Sequence, residues 1–191
     1  VNARAYSPTR GFADPFGGRG DLEAKVLRAV GDPVTRFQED SLRILRGVRF
    51  AVKYGLSVDP ATESAMQSQA HLMENLAEER IFDELCKLLP LVSAEDLCRF
   101  APILGAVIPE LQPMIGFDQH SPHHAYDLFT HTAHVTAGVS ADLTLRWAAL
   151  LHDTGKVATF TRDATGRGHF YGHAQKSAEI ADGVFRRLKA P

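Results

Sequence analysis

The 191-residue chain is 45% hydrophobic and 23% charged, with 21 basic and 23 acidic side chains giving a net charge of −2. That balance belongs to an ordinary globular protein. It excludes a surface coated in basic charge for nucleic acid and leaves room only for a local basic patch. The longest apolar runs are too short to span a bilayer and no charged-then-apolar leader opens the chain, so a cytoplasmic protein with no membrane partner is expected.

Residues 1–32 are glycine-rich and punctuated. VNARAYS alternates as a short strand does, SPTRG is a turn, and DPFGGRGD is predicted to be a loop with little side-chain bulk. DLEAKVLRAV then predicts a helical turn or two passing into a short strand. From Pro33 the pattern is helical. EDSLRILRGVRFAVKYGL, read as one helix, places Leu42, Leu45, Val48 and Val52 at helical spacing. The next helix has Asp59 as its cap and Pro60 at its first position. AEERIFDELCKLL is a third amphipathic helix, which Pro90 ends. Ser93 opens a capping box before one or two short helices. Cys86 and Cys98 both fall in apolar helical patterns, which predicts buried free thiols rather than a disulfide. Gln112 to Asp127 is a loop-like boundary, and three further helical segments follow, the last two separated by TFTRDATGRGHFYG with a turn at its centre.

Within FQEDSLRILRGVRF (Phe37 to Phe50), arginines recur at positions 43, 46 and 49. On a wheel of ~100° per residue, Glu39, Asp40, Arg43, Arg46 and Lys53 share one arc, with Arg49 at its border. Gly47 lies in that arc and would let another group approach the helix closely. Two readings stand side by side. In one, the acids and arginines pair along a solvated face, which is common and individually weak. In the other, the face reads phosphates and bases. Arginine offers a fixed fork of donors, and Asp40 one turn before Arg43 sets an acceptor beside it. Cytosine and adenine each present an exocyclic amino donor next to a ring-nitrogen acceptor, so an Asp/Arg pair matches either and mismatches uracil and guanine.

Nine histidines is high for this length, and most lie between His120 and His173. His131 falls on a helix, and His152 and Asp153 fall at a helix end. Imidazole nitrogens with a carboxylate suit a divalent transition metal with open positions. Lys156, just past Gly155, would steady a phosphate. The plain alternative is a set of solvated or core-satisfied histidines. His123, His124 and Asp127 are weaker candidates for substrate contacts.

The stretch from Asp14 to Leu85 resembles the bacterial class II tRNA nucleotidyltransferase (CCA-adding enzyme) and poly(A) polymerase family. D-x-x-G-G-x-x-D-L at Asp14, Gly17, Gly18, Asp21 and Leu22 is similar to the family's third head motif. EDxxRxxRxxRF is similar to its nucleotide-selecting neck motif, and ERIxxEL at Glu79 to Leu85 to the helix that supports that neck. The resemblance implies that Asp40 and Arg43 select incoming CTP or ATP for the tRNA 3′ end without a nucleic-acid template. It implies that Arg46 and Arg49 contact the nucleotide or its phosphates, and that DNA is not a partner. Mg2+ for nucleotidyl transfer would sit on head carboxylates before Val1, VNA resembling the end of the second head motif. The chain, starting at Val1 and stopping at Pro191, is therefore expected to be a fragment that does not transfer nucleotides alone. HTAH, LLHDTGK and GRGHFYGHAQKSA resemble the HD superfamily of metal-dependent phosphohydrolases. That resemblance implies His131, His152 and Asp153 as metal ligands and His173 at the metal or the phosphate. Its last aspartate would come from a later helix than the chain contains. Some bacterial CCA-adding enzymes carry an HD domain after the body, in the order found here.

The expected fold is mainly α: a short α/β remnant of a nucleotidyltransferase head (1–32), a helical neck and body (33–111), and a helical HD domain truncated at its C-terminus (112–191). Competing functions are a poly(A) polymerase adding only A, a nucleotide- or tRNA-binding module without chemistry, and an HD phosphohydrolase acting on cyclic or terminal phosphates.

Overall fold

In the glycine-rich opening, strand β1 (Ala5–Ser7) pairs antiparallel with β2 (Gly11–Ala13) across the SPTRG turn. A computed structural model describes residues 5–120 and 126–190. DPFGGRGD, expected to be a loop, instead leads into helix α1 (Gly18–Glu23). The reason is local: both carboxylate oxygens of Asp14 accept from the first-turn amides, Gly18 N at 2.8 Å and Arg19 N at 2.7 Å. That cap satisfies donors the helix start would otherwise leave open and offsets the poor helix propensity of glycine.

Asp32 accepts from Thr35 N at 2.8 Å, and Pro33 fills the position where a missing N–H costs nothing, so α2 (Pro33–Glu39) begins there. The continuous helix expected from Glu39 onward is broken at Asp40, whose backbone is extended (φ −155°, ψ 97°). Helix α3 (Leu42–Tyr54) starts afresh after it. Asp40 closes the gap itself: its Oδ1 accepts from Leu42 N at 3.2 Å and its carbonyl from Arg43 N at 3.1 Å. An aspartate that satisfies first-turn amides in this way competes with helix continuation. Gly55, left-handed at φ 59°, ends α3. The chain then forms β4 (Ser57–Val58), parallel to β3 (Val26–Leu27), and α4 (Pro60–Ser68) capped by Asp59 as expected. A 3₁₀ turn, Ala70–Asn75, follows. Ile44, Leu45, Val48, Met66 and Met73 are buried together with Phe37. Each such side chain contributes about 1.5–3 kcal/mol by leaving water.

The described residues cluster into two compact units, dividing between Leu76 and Ala77. The second unit contains α5 (Glu78–Leu88), a 3₁₀ turn at Pro90, and α6 (Ala94–Arg99) started by the Ser93/Asp96 capping box. It continues through α7 (Ala101–Val107), a 3₁₀ stretch (Pro109–Met114), α8 (Leu128–Gly138) and α9 (Leu143–Leu151). The hairpin of β5 (Thr161–Arg162) and β6 (Gly168–His169) then leads to α10 (His173–Arg187). Its core gathers Leu85, Leu88, Leu97, Ile103, Leu104, Leu128, Leu150 and Val184. Trp147 stacks on Phe82 at 5.8 Å and meets Phe185 edge-on at 5.4 Å, tying α9 to α5 and α10. Buried Arg146 is satisfied by backbone, donating to Ser140 O at 3.1 Å and Val92 O at 3.2 Å.

The architecture is mainly α with two- and three-residue strand pairs, as the periodicity predicts. Both cysteines are free, but the expectation that both are buried is not met: Cys86 is half-buried and Cys98 is exposed. Leu97 is the residue of α6 that turns inward, and a step of ~100° carries its neighbour outward. No described helix is long and apolar enough to cross a membrane.

Candidate functional site

Two constellations stand out, one in each unit. In the first, the break at Asp40 places the end of α2 and the start of α3 around a cleft of about 490 Å³. Asp40, Arg43 and Arg46 line it, joined by Arg36 and Phe37 of α2, Gly47 and Phe50 of α3, and Arg28 from beside β3. A volume of this size is that of a small-molecule site. Gly47 has the close-approach role its place on the wheel suggests: a Cβ there would lie 3.2 Å from Met66 Cε, and the residue also faces the cleft. Arg49 is not among the lining residues, and its guanidinium lies 4.6 Å over the ring of Phe50.

The acids and arginines do pair. Glu39 Oε2 accepts from Arg36 Nη1 at 2.6 Å and from Arg43 Nη1 at 2.7 Å, and the same Arg43 nitrogen donates to Arg36 O at 2.9 Å. The hydrogen bond from Arg43 holds the Glu39 carboxyl below its usual range against the cost of desolvation. The three side chains remain 36–45% exposed, so solvent screens the pairing and it aims Arg43 more than it stabilises the fold.

In the second unit, His131 projects from α8, while His152 and Asp153 follow the end of α9. Nε2 of His152 lies 3.1 Å and Nε2 of His131 3.6 Å from Asp153 Oδ2. One ligand atom from each of these three residues falls within 4.8 Å of the others. His173, at the start of α10, brings its Nε2 to 3.7 Å from Asp153 Oδ1, and Lys156 Nζ lies 2.8 Å from Oδ2. The sequence-predicted residues of this set therefore do meet. His123 and His124 lie outside the described residues. Asp127 caps α8, accepting from Thr130 N at 3.0 Å.

The chemistry of the donors fits a cation. His152 Nδ1 lies 2.7 Å from Ala149 O and His173 Nδ1 2.8 Å from Phe170 O. A carbonyl only accepts, so Nδ1 carries the proton in each ring, and a neutral ring then turns the Nε2 lone pair toward Asp153. Lone pairs facing a carboxylate repel unless a proton or a metal lies between them. Asp153 is 3% exposed, and its Oδ2 has ionic neighbours but no aligned hydrogen bond among the described residues. Burial resists its ionisation, yet the contacts from His152 and Lys156 outweigh this and hold the carboxyl at about 2. The same pairing raises His152 against its own burial penalty. An ionised, buried carboxylate beside two or three imidazole nitrogens is a donor set for a divalent transition metal.

Sequence reasoning missed several neighbours. Arg36 and Phe37 join the cleft because the chain bends at Asp40, which no wheel of a continuous helix displays, and Arg28 joins it from beside β3. Gln119 donates nothing to any motif, yet it is 1% exposed and its Oε1 accepts from Lys156 Nζ at 3.0 Å. Its only sequence signal is a polar residue between Asp118 and His120 in a loop.

Comparison with known proteins places these sites in context. Residues 55–96 match the model described as the probable RNA and SrmB-binding site of polymerase A, and residues 128–190 match the HD domain. The whole chain is 38% identical to 46% of an A-adding tRNA nucleotidyltransferase from Deinococcus radiodurans. It is 36% identical, again over its whole length, to 48% of a multifunctional CCA protein from Aromatoleum aromaticum. The chain thus spans about half the length of the curated relatives it matches. Its fold is similar to that of the Bacillus stearothermophilus CCA-adding enzyme, solved in complex with CTP, with a TM-score of 0.58 and 24% identity over 99% of this chain and 44% of that one.

Proposed function

We propose that this chain, which belongs to the tRNA nucleotidyltransferase and poly(A) polymerase family and carries an HD domain, is the base-selecting and RNA-binding part of an enzyme that adds C and A to tRNA 3′ ends from CTP and ATP. Residues 1–32 act as the end of the catalytic head, 33–111 as neck and body, and 112–191 as the HD domain. The observation that carries the reading is the cleft at the α2–α3 break, where Asp40 offers an acceptor and Arg43 and Arg46 offer guanidinium donors around one nucleotide-sized volume. Asp40 and Arg43 hydrogen-bond the amino donor and ring-nitrogen acceptor of cytosine or adenine. Arg46 and Arg49 neutralise phosphate, and Phe50, beneath Arg49, holds that guanidinium in place. Glu39 keeps Arg43 turned to the base edge. Mg2+ would supply charge neutralisation for nucleotidyl transfer, and no residue of this chain is assigned to hold it.

The test is nucleotide preference. CTP and ATP should bind the 191-residue chain in preference to UTP and GTP by calorimetry, and Arg43→Ala should reduce that preference about tenfold or more, the loss of one bidentate contact being worth ~1–3 kcal/mol. Unchanged preference in Arg43→Ala would refute the assignment. A second reading, addition of A alone, is supported by the A-adding relative. The two separate on radiolabelled CTP incorporation into tRNA by the complete protein.

The HD domain is proposed to hold a divalent transition metal on His131, His152 and Asp153, with His173 and Lys156 at the edge of the site. Such an ion supplies Lewis acidity toward a phosphoryl oxygen. Around it, Ala149 O and Phe170 O orient the imidazoles, and Lys156 neutralises charge on a cyclic or terminal phosphate of the RNA.

A further inference from the structure

Lys156 is a buried cation, 7% exposed, and its ammonium needs acceptors for its N–H groups. Among the described residues it has Asp153 Oδ2 at 2.8 Å, Gln119 Oε1 at 3.0 Å, and the ring face of Phe170 with its centroid at 5.3 Å. Asp153 is shared with the histidines, and Phe170 offers only a π face. Gln119 Oε1 is the neutral acceptor that remains when Asp153 turns to another cation.

The orientation of the amide follows from chemistry. Lysine only donates, so the oxygen of Gln119 faces it and the nitrogen faces away. That Nε2 is buried and has no partner among the described residues. The residue is also rigidly placed. Gly168 N donates to His120 O at 3.0 Å, and a Cβ on Gly168 would come within 2.4 Å of Gln119 O, so the hairpin clamps the backbone beside this side chain. A fixed amide therefore gives its acceptor to the lysine and keeps a spare donor in a buried place, an arrangement that is costly unless another acceptor arrives.

We propose that Gln119 positions Lys156 for an incoming phosphoryl group at the histidine–aspartate site. Its Oε1 holds the ammonium, and its Nε2–H donates to an oxygen of the same phosphoryl group. The phosphate part rests on the HD-domain reading above, whereas the grip on Lys156 belongs to the chain with or without metal.

The test uses Gln119→Met, which removes both groups at similar length, and Gln119→Glu, which keeps the acceptor and loses the donor. In the metal-free chain, acylation of Lys156 by an N-hydroxysuccinimide ester, mapped by mass spectrometry, should be at least tenfold faster in Gln119→Met and no faster than wild type in Gln119→Glu, whose carboxylate holds the ammonium by an ion pair. In the chain loaded with Mn2+, inorganic phosphate should bind at least tenfold more weakly to both variants, with metal stoichiometry retained. Trp147 fluorescence verifies that each variant is folded. Acylation of Lys156 at the wild-type rate in folded Gln119→Met overturns the proposal whatever the metal result. Wild-type protein that takes up no Mn2+ refutes the metal reading instead, and the acylation rates still decide the hold on Lys156.

Discussion

Gly155 is where the packing of the second unit meets the histidine–aspartate site. An alanine Cβ there would lie 2.5 Å from His173 O, 2.6 Å from Ser177 N and 2.8 Å from Lys176 Cβ. Two of these atoms are backbone of α10, so relief requires the helix to retreat by ~0.9 Å to reach ordinary contact. Overpacking of this kind costs about 1–3 kcal/mol. Retreat also stretches the buried bond from Gly155 N to Ser177 Oγ, now 2.9 Å, and leaving it unmade costs about 1–3 kcal/mol more. The φ of Gly155 is ordinary, so alanine is not strained there, and stiffening of the unfolded chain offsets about 0.4–1 kcal/mol. The net for Gly155→Ala is a loss of about 2–5 kcal/mol. Urea titration followed by Trp147, the single tryptophan, reports this unit directly. With a slope of about 1–3 kcal/mol per molar, the midpoint should fall by roughly 1–2 M. Gly183→Ala, in exposed mid-helix of the same α10 with nothing within 4 Å of its Cβ, should raise stability by about 1 kcal/mol. A midpoint unchanged or raised in Gly155→Ala would show that α10 is not seated on Gly155, and with it the placement of His173.

Asp127→Ala should cost about 1 kcal/mol by removing the cap of α8. Burial opposes ionisation of Asp127, but bonds from Thr130 and from backbone amides hold its carboxyl below the usual range. Its contribution is therefore full above the ordinary carboxylate pKa of about 4 and is lost as pH falls below that. Urea midpoints of wild type and variant should converge on acidification and stay parallel above neutrality. A divalent transition metal at a hundredfold over its dissociation constant should stabilise the second unit by about 2.7 kcal/mol, an effect reversed by chelator and absent in His152→Ala, as thermal melts would reveal. Arg146→Met keeps the packing of a buried stem but strips donors from Val92 O and Ser140 O, and should lower the urea midpoint by an amount worth about 1–3 kcal/mol.

Helical spacing, caps and punctuation were enough to read the mainly α architecture, because these signals act within a few residues. Asp59 with Pro60, and Ser93 with Asp96, start helices wherever they occur. The motif order also singled out Asp40 and Arg43, which line one cleft, and His131, His152 and Asp153, which meet in space, since residue type and spacing are legible along the chain. Other features depended on what distant segments bring. Whether Glu39 and Asp40 continue into α3 was settled by competition between helix propagation and the Asp40 carboxylate capping Leu42. That break is what opens the cleft to Arg36 and Phe37. Cys98 turned outward because Leu97 takes the inward position on a short helix. Gln119 reached Lys156 only through the clamp of Gly168, 49 residues further along the chain. Local sequence thus determined most of the helices and which residues were candidates for chemistry, because hydrogen bonds and helical periodicity are short-range. Tertiary packing decided which of those residues share a site and which neutral groups hold them there, because burial and close approach join residues far apart in the chain.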